Sequence, residues 1–238
     1  MSDYLIELGS ILRNVRKIRG YTIQQFADKI QKSKSTLSKY ERGEIAIDIL
    51  TISEISQALK ISIDELLPKS SIISSQTHQA SLANVPSFFK NNACFYSYYY
   101  DGRNKSIICS NLLVKKINKD NSFNVHMYMN IKDINYPQVC ENTYLGLMTH
   151  YDIVTRIDLI NRDTSIEKSS IAILSPFSEN DIRWGLWTGI STRPVMPASI
   201  KMLFTKAPQK IDADLKRKLM ITQEDYKQIK HYNMFTVF

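Results

Sequence analysis

The first 67 residues constrain this chain most tightly, because they carry a succession of short apolar stripes at helical spacing, each opened by a capping residue and closed by a stop. Leu8, Ile11, Leu12 and Val15 fall at i, i+3, i+4 and i+7, and Gly20 supplies a left-handed stop after Arg19. Thr22 and Gln25 have capping-box spacing ahead of a helix with Ile23, Phe26, Ala27 and Ile30 inward, ending near Gln31. Ser33 caps a third helix that turns Leu37 and Tyr40 inward, leaves Lys34, Ser35, Ser38 and Lys39 outside, and closes on Glu41-Arg42-Gly43. Asp48 opens a fourth with Ile49, Ile52, Ile55, Ala58 and Leu59 inward. Ser62 and Glu65 make another capping box before Leu66, Leu67 and the stop at Pro68. Five small helices in under 70 residues are expected to pack as one module.

This pattern, from Ile11-Leu12-Arg13 through Glu41-Arg42-Gly43 to Ile63-Asp64-Glu65-Leu66-Leu67, resembles the phage-repressor or XRE type of helix-turn-helix regulator over about residues 6 to 67. The resemblance implies that the third helix enters the DNA major groove and the start of the second sits against phosphate. It further implies base contacts from Lys34, Ser35 and Lys39 with Thr36 and Ser38 flanking, and phosphate contacts from Thr22, Ser33 and Arg42. Arg16 and Glu41 match an ion pair of the family that ties the first helix to the end of the third. Two departures stand out. Gln31 and Lys32 occupy places where the family has Gly and Val, so the turn must reach a left-handed conformation without glycine at a cost of roughly 1 kcal/mol, and Lys32 becomes an additional candidate for phosphate. Lys60 replaces the usual glycine after the fourth helix.

Residues 69–84, rich in Ser and Gln, read as a linker. From Val85 the period changes to short runs of Tyr, Ile, Val and Phe, with strands expected at 94–100, 106–117, 123–130, 143–150, 153–160, 170–174, 184–190 and 199–204. Asp101-Gly102 signals a tight hairpin between the first two, since both residues tolerate positive φ. Without alternating helices, a mostly antiparallel sheet is favoured, curved into a sandwich or a barrel. Ile211, Leu215 and Leu219 then share a helix face, Thr222 caps a second short helix, and Phe235, Val237 and Phe238 form an apolar tail. The expected fold class is α + β in two domains: a helix-turn-helix domain at 1–68, the linker, and a β-rich domain with terminal short helices at 85–238.

Cys94, Cys109 and Cys140 lack metal spacing and the histidines are scattered singly, so no metal site or cofactor is expected. Neither the Ala-Gly nor the Cys-Gly dipeptide that self-cleaving repressors cut occurs anywhere, and no enzyme activity is expected. No leader and no apolar run of about 18 residues is seen, which points to the cytoplasm and away from membranes. Of 31 basic and 23 acidic residues, 11 and 9 fall in residues 1–69 and 20 and 14 beyond, so most of the net +8 lies outside the helical module. That excess serves phosphate attraction, an anionic ligand or solubility. Tyr96, Tyr98 and Tyr100 alternate on one face of the first strand, and with Tyr144, Tyr151, Trp184, Trp187 and Arg193 they are either the walls of a pocket for a planar or anionic molecule or half-buried strand formers. Two readings of the second domain follow: a sensor of a small molecule or peptide, or a dimerisation and protein-interaction module. Both expect a homodimeric repressor on a near-palindromic double-stranded operator.

Overall fold

The computed structural model describes residues 2–68, 85–90, 92–117, 122–174, 181–192 and 195–237. The expected linker at 69–84, Arg193 and the final Phe238 lie outside them. Among the described residues there are seven helices and eight strands, in two compact units divided between His78 and Gln79. No helix among them is long and apolar enough to cross a membrane.

The first unit is helical: α1 (Ser2–Ile18), α2 (Ile23–Lys29), α3 (Lys34–Arg42), α4 (Ile49–Leu59) and α5 (Ile63–Leu66). The expected stripes form its core, with Leu8, Leu12, Val15, Phe26, Leu37, Ile55 and Leu59 all buried. The helix starts are set by side chains: Thr22 Oγ1 accepts from Gln25 N–H, Ser33 Oγ from Thr36 N–H, and Asp48 Oδ1 from Thr51 N–H. Gln31 and Lys60 both take the left-handed conformation, at φ 53° and 54°, where the sequence lacks glycine. One expectation fails here. Ile49 is 72% exposed and its neighbour Leu50 73%, not turned inward. Ile49 occupies the first position after the cap, at the very end of the α4 stripe, and the buried place in that turn goes to Thr51, whose hydroxyl also donates to Asp48.

The second unit is built on a closed barrel. Strands β1 (Cys94–Asp101), β2 (Ser106–Ile117), β3 (Phe123–Met129), β4 (Asn142–His150), β5 (Val154–Asn161), β6 (Lys168–Leu174), β7 (Ile182–Thr192) and β8 (Val195–Thr205) each pair antiparallel with the next. Tyr96↔Thr205, Ser97↔Phe204 and Tyr98↔Leu203 join β8 back to β1. Closure removes the exposed edges an open sheet would leave. The Asp101-Gly102 hairpin exists but differs from expectation. Asp101 pairs with Ser106, so the loop has four residues, and its positive φ falls on Lys105. The Asp101 carboxylate sets this geometry by accepting from Arg103 N–H and from Asn104 Nδ2–H, which holds the chain in a wider turn.

Period-two alternation puts Phe95, Leu112, Met127, Tyr144, Ile171 and Trp187 inside the barrel with the rest of one apolar cluster. Phe88 and Phe89, from the segment before β1, belong to that cluster and pack on Phe95 with ring centres 5.3 and 5.2 Å away. They close the barrel end formed by the start of β1 and the end of β4. Outside the barrel, α6 (Ala213–Leu219) lays Leu215 and Leu219 on Tyr98, Cys109 and Leu203. The Tyr98 hydroxyl accepts from Gln209 N–H at 2.8 Å, and α7 (Gln223–Tyr232) is tied down by Asp225 to Lys201 at 3.0 Å.

At the plugged end the His150 ring lies 5.0 Å from Phe89 and 5.1 Å from Phe123, with Nδ1 bonded to Thr155 Oγ1. Burial pushes this imidazole down from 6.5 to about 4. Across that interval the unfolded chain takes up a proton that the packed ring refuses. The stability due to the neutral ring is therefore full above pH 6.5 and is lost as pH falls towards 4. The melting temperature of the barrel should decline between pH 6.5 and 5, and His150→Phe should make that decline shallower whatever its effect at neutral pH. Equal slopes for the two proteins would remove His150 from the account.

Candidate functional site

The fixed point of the helical unit is the Arg16 guanidinium. Its Nε donates to Glu41 Oε1 at 2.5 Å, one terminal nitrogen to Glu41 Oε2 at 2.9 Å, and the other to the carbonyl of Tyr21 at 2.7 Å. Both charged side chains are almost wholly buried. One group on α1 thereby holds the last turn of α3 and the approach to α2. Glycine permits the approach: a Cβ on Gly9 would stand 2.4 Å from the Tyr40 carbonyl oxygen, and one on Gly43, which ends α3 at φ 69°, would stand 2.5 Å from the backbone nitrogen of Ile6. No larger residue fits α1 against α3 this closely.

Thus clamped, α3 turns Leu37 and Tyr40 into the core and leaves Lys34, Ser35 and Lys39 exposed, with Thr36 and Ser38 partly so. None of these five residues is buried in the core that Leu37 and Tyr40 enter. Ser33 Oγ lies 2.8 Å from the hydroxyls of both Ser35 and Thr36, a run of three hydroxyls at the helix start. Thr22 is engaged in a full capping box, its N–H donating to Gln25 Oε1 at 2.9 Å. Its hydroxyl oxygen accepts from the Gln25 amide and so retains its proton for an outside acceptor such as phosphate. Lys32 is partly exposed in the turn, with its amide bonded to the Ala27 carbonyl at 3.0 Å. Arg42 is already engaged: its Nε is 2.5 Å from Glu44 Oε1, and it also donates to Ser38 Oγ. That hydrogen bond to Glu44 raises the Arg42 pKa and lowers that of Glu44. Glu44 stands two residues from Arg42, just past the helix end, where no periodic or capping signal in the sequence marks it.

The seven described residues of the expected pocket do not share one face of the barrel. Tyr96, Tyr98, Tyr100 and Trp184 lie on the outer face of the barrel, grouped with Leu215 and Leu219 of α6. Lys216 Nζ stands 5.0 Å from the Tyr100 ring and Lys201 Nζ 4.7 Å from Trp184. Tyr144 and Trp187 are inside the barrel, Tyr151 is 54% exposed in the turn after β4, and Arg193 lies outside the described residues. Alternation says which tyrosines share a face. It does not say which face is inside, and on β1 both are apolar, with Phe95 and Tyr99 pointing opposite to Tyr96, Tyr98 and Tyr100. Among the described residues no three His, Cys, Asp or Glu side chains group as metal ligands.

Residues 12–66 match the family described as Helix-turn-helix (HTH_3). Over 60 residues the chain is 38% identical to an uncharacterized HTH-type transcriptional regulator, YazB, of Bacillus subtilis (strain 168), a stretch that is 25% of this chain and 87% of that protein. Among solved structures it is similar to the restriction-modification controller protein C.AhdI from Aeromonas hydrophila, 27% identical over 26% of this chain and 96% of that one, with a TM-score of 0.26. Over 89% of its length it is 11% identical to hydroxypropylphosphonic acid epoxidase from S. wedmorenis, covering 95% of that chain with a TM-score of 0.28.

Removing one partner of a buried pair leaves the other charge without compensation, a change worth about 3–5 kcal/mol. Glu41→Ala should therefore lower the urea stability of the helical unit by that amount, followed through its helical circular-dichroism signal. A loss under about 1 kcal/mol, typical of an exposed pair, would show that the clamp is not buried in solution.

Proposed function

The chain belongs to the XRE-type helix-turn-helix family through its first unit, and from that premise we propose that it is a sequence-specific DNA-binding transcriptional repressor whose β-barrel unit senses a small effector. The observation that carries this reading is the outward face of α3, Lys34, Ser35, Ser38 and Lys39, presented by a helix clamped to α1 through Arg16 and Glu41. In the proposed complex Lys34, Ser35 and Lys39 reach base edges in the major groove with Thr36 and Ser38 beside them. Lysine suits the O6 and N7 acceptors of guanine, and hydroxyls suit either kind of pair. Thr22, Lys32 and Ser33 meet phosphate at the starts of α2 and α3, where backbone N–H groups favour anions. Arg42 joins them by releasing or sharing Glu44.

One such head reads few bases, so the proposal includes a homodimer on a near-palindromic operator with half-sites about 34 Å apart. It divides the chain at 1–68, 69–84 and 85–238, places it in the cytoplasm, assigns it no catalytic role or cofactor, and makes the effector a small molecule or peptide received by the third segment. A second reading, that the barrel unit serves dimerisation or a partner protein, draws support from α7, which buries none of its residues and leaves Tyr226 and Tyr232 exposed.

Operator fragments selected from genomic DNA by the full chain should be protected from nuclease over two half-sites. Single substitution of Lys34 or Lys39 by Ala should cost about 1–3 kcal/mol and relax preference at one position. The double variant should lose the footprint while keeping its oligomeric state. A double variant that protects the same site would displace α3 as the reading helix.

A further inference from the structure

The two ends of the barrel are not alike. Phe88 and Phe89 fill one, flanked by the Arg183 guanidinium 5.4 Å and the Lys206 ammonium 5.8 Å from the Phe88 ring. At the other, formed by the ends of β1, β3, β5 and β7, the inward-facing Tyr99, Met129, Ala198 and Ile200 pack against the core yet remain partly exposed. That is the pattern of a mouth.

The wall below this mouth holds polar atoms that the fold does not use. Trp187 is 6% exposed and Ser169 8%, and neither Trp187 Nε1 nor Ser169 Oγ has a hydrogen-bond partner among the described residues. The two are neighbours, because the place a Cβ would take on Gly189 is 2.7 Å from the Trp187 ring and 2.9 Å from Ser169 Cβ. Ser97 and Ser110, paired across β1 and β2 and turned into the same interior, are likewise buried with their hydroxyls unpartnered. Buried polar groups in proteins are almost always paired, so these four, on the inner wall of the barrel, point to an external partner.

The rim defines the charge of that partner. Tyr144 Oη donates to Glu167 Oε2 at 3.2 Å and Asn161 Nδ2 to the same oxygen at 2.7 Å, so this carboxylate is held by neutral donors. Asp101 is already paired with Arg103, and Glu141 accepts from Asn130. Burial first, and then these acidic neighbours, push the Tyr99 and Tyr144 hydroxyls up to about 12, so both rings stay neutral. An anionic ligand would meet the Glu167 carboxylate, whose two side-chain donors are neutral, while the Arg103 cation of the same rim is engaged by Asp101 and Ser191.

Resting on the reading of the barrel as a sensor, we infer that the barrel interior beneath Tyr99 and Tyr144 is the effector site, and that it takes an uncharged planar heterocycle. Such a ring offers an acceptor to Trp187 Nε1–H and Ser169 Oγ–H, a donor to Glu167, and flat faces to the aromatic walls. This narrows the class suggested by the sequence alone, which admitted anions, and moves the site away from the outward tyrosines.

The test is isothermal titration calorimetry of the full chain with hypoxanthine and cytosine as neutral heterocyclic probes and benzoate as the anionic ring. At least one heterocycle should bind once per chain, at least tenfold more tightly than benzoate, and Ser169→Ala and Glu167→Gln should each weaken it at least tenfold while leaving operator binding intact. Absence of binding by both heterocycles, a preference for benzoate, or full binding by both variants would overturn the site. A parallel arm separates this from the sensor reading. Operator release by a small-molecule cell extract that persists undiminished in both variants keeps the sensor and rejects this site, whereas no release from the unaltered chain rejects both.

Discussion

The geometry of the DNA-facing unit depends on one buried ion pair. Arg16 and Glu41 give up hydration to meet in a nearly dry contact, and that exchange is favourable only when the geometry is good and the remaining donors are satisfied. Here the guanidinium uses its fork on both carboxylate oxygens and spends its third nitrogen on the Tyr21 carbonyl. Three segments, α1, the approach to α2 and the end of α3, are thus fixed from one group. Hydrophobic packing of Leu37 and Tyr40 sets how deep α3 sits. The pair sets its direction, which packing alone specifies poorly because apolar surfaces tolerate rotation. A reading helix needs direction more than depth, since a side chain aimed away from its base edge makes no hydrogen bond there at all.

The helical unit was legible in the sequence because its signals are local. A capping side chain three residues before an amide, or an apolar residue every third or fourth place, acts within one or two turns, and the caps at Thr22, Ser33 and Asp48 stand where their spacing puts them, as does Thr222 in the second unit. The eight strands were legible for a similar reason, their bounds agreeing within a few residues, while the choice between sandwich and barrel was not. Closure rests on three residue pairs between β1 and β8, more than a hundred positions apart, and no local pattern encodes it. The inside of the barrel was hidden by the same fact: Tyr98 carries every mark of an interior residue and is fully buried, but beneath α6 on the outer surface. Ile49 shows the converse, a residue in phase with a buried stripe that ends before the core reaches it. The role of Glu44 and the width of the Asp101-Gly102 turn were not legible, because short-range side-chain bonds redirect charges and loops without leaving a periodic trace.

The two units differ in how they are stabilised, and this suits the roles proposed for them. In the helical unit the exposed chemistry is carried on a clamped frame, with hydroxyls already organised by capping and lysines left outward. In the barrel, interior polar atoms at Trp187, Ser169, Ser97 and Ser110 stay unpartnered while the apolar majority is closely packed, a local conflict of the kind that marks a functional place. Most of the chain's excess positive charge falls on the second unit, yet the carboxylate of Glu167 marks its mouth, so the distribution of charge says more than its sum.

On the proposed function the helical unit reads sequence and does not simply attract polyanions. The most direct measurement is the affinity of the full chain for a fragment selected from genomic DNA and for bulk competitor DNA, each across a series of salt concentrations. Both affinities should fall with salt as phosphate contacts release counterions, while a preference of about a thousandfold or more for the selected fragment persists through the series. Equal affinity for the two DNAs at every salt concentration would contradict it.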